Sequence, residues 1–144
     1  MSLKNQVSNV YGVGLRNVGS YQVSGIPYLT GSTIVATTTY NVGVQGELML
    51  QFPYITKSIT VTNTSSTSGF LIHFVSSSSP GNVHAGKHFL SLNAGQTVTF
   101  DVKCKEIFLH NNDTSNNQTF ELIADLTNIP TERMYELTGS GLTD

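Results

Sequence analysis

Phe120, Leu122, Ala124 and Leu126 occupy every second position of the stretch 118–126. This alternation constrains the fold more than any other feature of the chain. Successive side chains of a strand point to opposite faces, so a period of two marks a strand with one face on a core. The stretch 57–63 repeats it, with Ile59 and Val61 inward and Ser58, Thr60 and Thr62 outward. Further short runs follow at 33–40, 47–52, 70–75, 87–92, 96–102 and 106–110, separated by Gly, Pro, Asn and Ser. The near-continuous apolar run 70–75 reads as a central strand, and 87–92 with 96–102 reads as a hairpin closed through Asn93-Ala94-Gly95. About eight short strands with polar turns predict an all-β fold: a single β-sandwich, with a jelly roll favoured over an immunoglobulin-like arrangement.

Composition agrees. Charged residues make up 11% of the 144 positions, against roughly 25% in ordinary globular chains. Ser, Thr and Asn supply about a third of the chain instead, which suits strands and turns better than helices. The net charge of −2 carries no basic stripe for phosphates, so nucleic acid is not an expected partner. No apolar run approaches the ~18 residues of a membrane helix, so no membrane partner is expected, and the N-terminus lacks a signal-peptide pattern. The expectation is synthesis in a cytoplasm. The sequons at Asn63, Asn112 and Asn117 are expected by chance in so Asn- and Thr-rich a chain.

Three segments are expected: an extended N-terminal arm over 1–32, the sandwich over 33–127, and a C-terminal docking segment over 128–144. The arm lacks any sustained period, yet it carries Val10, Tyr11, Val13, Leu15, Val18, Tyr21, Val23, Ile26, Tyr28 and Leu29. Disordered tails lack such residues, so they are expected to be buried against a neighbouring chain or against the sandwich. Met134, Tyr135 and Leu137 give the C-terminal segment the same character, and Pro130-Thr131-Glu132 has the form of a helical turn start.

Enzyme chemistry has little in the sequence to stand on. No Gly-x-Ser-x-Gly elbow, phosphate-binding loop or Cys-x-x-Cys pair occurs. His84 and His88 have metal-ligand spacing only on a helix, which Gly86 opposes. His73, His88 and His110 fall on or beside strands that a sandwich can set side by side, but no accompanying carboxylate is identifiable. They are read as ordinary rim or surface histidines. Cys104 is in phase with Phe100 and Val102 and reads as a small core residue. No catalytic residue, metal ligand or cofactor is assigned.

The segments 14–32, GLRNVGSYQVSGIPYLTGS, and 130–144, PTERMYELTGSGLTD, resemble the ends of small virion structural proteins of tailed bacteriophages, particularly marine and cyanobacterial ones. The likeness covers about a quarter of the chain and carries no residue of assigned activity. It implies a head decoration (cement) protein or a spike-like protein located in the virion, a homotrimer, with the major capsid protein or other virion proteins as partners. A glycan- or host-binding spike module using loops 76–86 and 111–117 is the alternative. A cupin-like metal enzyme is the more remote one.

Overall fold

The computed structural model describes residues 13–15, 25–36, 47–75, 88–111 and 113–137. Eight strands occupy them: β1 Tyr28–Ile34, β2 Glu47–Gln51, β3 Tyr54–Asn63, β4 Phe70–His73, β5 Leu90–Leu92, β6 Thr97–Phe100, β7 Glu106–His110 and β8 Gln118–Pro130. They form two antiparallel four-stranded sheets, ordered β1-β8-β3-β6 and β2-β7-β4-β5. The all-β sandwich expected from the strand pattern is therefore present.

Alternation dictates what fills the space between the sheets. Ile59, Val61, Phe120, Leu122, Ala124 and Leu126 point inward from the first sheet, as their spacing predicts. They meet Phe70, Ile72, Leu92, Ile107 and Leu109 of the second. Phe70 and Phe120 touch edge to face across this layer, with ring centres 6.4 Å apart. Each such fully buried side chain contributes on the order of 1.5–3 kcal/mol. Cys104 packs against this core, as its phase suggests.

Around β3 the first sheet turns a polar face outward. Thr60 pairs with Thr99 and Thr62 with Thr97 through hydroxyl hydrogen bonds of 3.0 Å, and the Ser58 hydroxyl donates to Asp125 at 2.9 Å. Asn63 ends β3 inside the fold. Its amide donates to the carbonyls of Ser68 and Leu92, and its carbonyl accepts from the Ser65 N–H. Asn111 does the same below β7, donating to Ile34 and Asn116 and accepting from Asp113 N–H.

Three sequence expectations need correction. The first strand begins at Tyr28 rather than Thr33, so the last residues assigned to the arm belong to the sandwich. Gly31 hid this. Glycine weakens a strand pattern, yet here a Cβ would stand only 3.1 Å from the Phe120 carbonyl of the paired strand, so glycine suits the close approach. Similarly, β8 runs on to Pro130, past the boundary placed at 128. A single 3-10 turn, Thr131–Arg133, then follows, where the Pro-Thr-Glu start was expected.

The third correction concerns the hairpin. The turn exists: Gln96 N–H donates to the Asn93 carbonyl at 3.0 Å, and Gly95 has φ +75°. Its flanking strands do not pair, however. β5 joins β4 in the second sheet and β6 joins β3 in the first. A local turn signal reports chain reversal and says nothing of the partner. Here the Gly95 N–H is held by the Asn63 carbonyl, and the turn carries the chain from one sheet to the other.

Candidate functional site

On β7, Ile107 and Leu109 belong to the core, so Phe108 and His110 point to the opposite, outer face of the second sheet. The same reasoning puts Leu71 and His73 of β4 on that face, and Glu47 and Met49 of β2 beside them. A solvated outer face would carry polar, exposed residues, as the first sheet does. Instead Leu71, His73, Phe108 and His110 are all buried. The second sheet is thus shielded on both faces over its central strands.

Three polar side chains converge there. Glu47 stands directly opposite His110 across the β2–β7 ladder, and His110 stands opposite Leu71 across β7–β4. His73 lies two residues further along β4, on the same face and diagonal to His110, a relation within reach of long side chains. The ligating atoms of Glu47, His73 and His110 all lie within 4.8 Å of one another. Glu47 Oε2 is 3.8 Å from His73 Nε2 and 3.9 Å from His110 Nδ1, and the three side chains are 0–2% exposed. Among the described residues no other group of three His, Cys, Asp or Glu side chains converges in this way.

His73 is held from two sides. Its Nδ1 lies 2.6 Å from the Val75 carbonyl. A carbonyl only accepts, so Nδ1 carries the hydrogen, and in the neutral ring Nε2 carries the lone pair that faces Glu47. Phe108, its register partner, stacks on the ring with centroids 5.6 Å apart and planes 1° from parallel. Burial holds the His73 pKa below the ordinary histidine value, outweighing the Val75 hydrogen bond and the Glu47 charge that act to raise it.

This corrects the reading of His73 and His110 as rim or surface residues: both are buried. His73 lies within the apolar run 70–75 and His110 ends EIFLH, and that is the signal the sequence holds for their burial. Glu47 went unrecognised because nothing local reveals that β2 lies beside β7. His88 is half-buried and outside the cluster, and His84 lies outside the described residues.

The expected interface residues differ in exposure. Ile26 and Leu29 are strongly exposed, at 82% and 69%, and Val13, Tyr135 and Leu137 are exposed as well. Leu15 and Met134 are half-buried. Tyr28 is half-buried, and its ring packs edge-on against Phe52 at 5.2 Å within its own sandwich, because it points inward at the start of β1. Val10, Tyr11, Val18, Tyr21 and Val23 lie outside the described residues. The strands also create an apolar pair that local reading overlooked, Leu29 opposite Ile123 on the outer face at the β1 edge.

No protein-family model matches the chain, and no curated protein matches it.

Proposed function

We propose that this chain is a non-enzymatic virion structural protein, a decoration or cement protein that attaches to the outer surface of a phage head and acts as a homotrimer. The observation that carries this reading is a set of exposed apolar side chains, at 26 and 29, at 135 and 137, and on β8 beside the β1 edge. Ile26, Leu29, Tyr135 and Leu137 are each more than half exposed, and Ile123 extends the surface of Leu29 across the ladder. Isolated exposed apolar residues are ordinary, but an adjoining pair beside an edge strand favours association. Covering Leu29 and Ile123 with a partner would supply on the order of 1.5–3 kcal/mol each.

The strand order supports a jelly roll over an immunoglobulin-like sandwich. The first strand pairs with the eighth, and the chain passes repeatedly between sheets, whereas an immunoglobulin domain pairs its first two strands in one sheet. The likeness of residues 14–32 and 130–144 to virion proteins supplies the particle as the partner's setting.

The test is the mass of the full chain in solution, together with its co-sedimentation with heads assembled from the capsid protein of the same genome. A trimer that saturates the heads is expected. The variant Ile26→Ser/Leu29→Thr/Ile123→Thr should keep the wild-type urea midpoint while losing trimerisation, head binding or both. A wild-type monomer with no affinity for heads would end the proposal.

A further inference from the structure

We propose that Glu47, His73 and His110 bind a divalent transition-metal ion of the zinc class, which clamps β2, β7 and β4 together on the shielded face of the second sheet. The site is independent of the docking surface above.

Geometry is the first support. Three donors from three neighbouring strands point into one small volume, and the His–Glu separations of 3.8 and 3.9 Å exceed the ~3.2 Å limit of a good N–H···O hydrogen bond. They lie close to the edge of a coordination shell. With bonds of roughly 2.0–2.1 Å, tetrahedral ligand atoms stand about 3.4 Å apart, so small side-chain rotations close the shell.

Orientation is the second. The Val75 carbonyl takes the Nδ1 hydrogen of His73 and thereby aims the Nε2 lone pair at the carboxylate. Metal-bound histidines are typically fixed in this manner, the other ring nitrogen donating to a carbonyl or carboxylate. Phe108 stacks against the same ring and restricts its rotation. A lone pair facing a carboxylate oxygen is unfavourable in a shielded place, and a cation between them reverses the sign.

The donor set selects the ion. Two imidazoles and one carboxylate suit zinc and its neighbours, whereas calcium and magnesium favour all-oxygen shells. Three protein ligands leave one tetrahedral position for a further donor. With side chains only 0–2% exposed, the enclosure suits an ion that stabilises the sheet rather than one that turns over a substrate.

The experiment uses the full chain, stripped with chelator and then titrated with zinc alone and, separately, with cobalt(II). About one ion per chain should bind, and cobalt should give the visible absorption of a low-symmetry nitrogen–oxygen site. At free zinc about a hundredfold above Kd, the melting temperature should rise by roughly 5–10 °C. Glu47→Gln, His73→Ala and His110→Ala should each abolish the rise and the cobalt spectrum. Because the alanine variants carry a folding risk, the wild-type titration and the near-isosteric Glu47→Gln decide the matter without them. An unchanged melting temperature with zinc, or full metal stoichiometry and an unaltered cobalt spectrum in Glu47→Gln, would overturn the proposal.

Discussion

His73 and Phe108 face one another across β4 and β7, ring on ring, on the side of the sheet that points away from the core. Side chains there would ordinarily be wet, yet Phe108 is only 4% exposed. Phe108→Ala is therefore expected to cost about 3–5 kcal/mol, as for a core phenylalanine, and Phe108→Leu much less. Urea denaturation measures both. A loss under about 0.5 kcal/mol for the alanine variant would mean that this face is solvated in solution.

Asn63 satisfies two carbonyls and one N–H from a single buried side chain. Asn63→Ala leaves those groups without it, at an expected cost of about 2–4 kcal/mol. Asn63→Asp keeps the acceptor, loses both donations and adds a buried charge, so it should be at least as damaging at neutral pH. Equilibrium unfolding of the two variants side by side checks the order.

Two glycines should separate on substitution. A Cβ at Gly69 would meet the Leu92 carbonyl oxygen at 2.7 Å, a backbone atom held within the β4–β5 pair, while Gly95 has open space but a positive φ. Gly95→Ala should cost about 1–2 kcal/mol from its left-handed backbone. Gly69→Ala should cost more, because strand ends must move apart. Thermal melting that ranked them in the opposite order would contradict this account of the turn.

Asp113 accepts hydrogen bonds from the N–H groups of Ser115 and Asn116 and from the Ser68 hydroxyl. These hold its pKa well below the usual carboxylate range, the Ser115 bond most of all. A depressed folded-state pKa stabilises fully above the unfolded value of about 3.9 and is lost as pH falls toward the folded one. Asp113→Asn should thus unfold at lower urea than wild type at pH 7, with the two midpoints approaching each other in strong acid. A gap that stayed constant from neutral to acid would remove the carboxylate from the explanation.

Burial pushes the Cys104 thiol pKa up, against the opposing hydrogen bond with Thr56. The native protein should therefore react with a thiol reagent at pH 8 at least about tenfold more slowly than the urea-unfolded chain. Equal rates would mean that the 101–105 segment opens readily.

Ile59, Val61, Phe120 and Leu122 could be assigned to the core before any strand was placed, because a period of two admits only one buried face. The apolar run 70–75 likewise foretold a central strand, since a strand covered on both sides needs no polar alternation. The partner of each strand was beyond such reasoning. Pairing is a long-range choice, made by how all the inward faces fit at once, and the residues between strands carry little record of it. So the Asn93–Gly95 turn looked like a hairpin and proved to be a crossing between sheets. Glu47, His73 and His110, far apart along the chain, share a face only because β7 lies between β2 and β4.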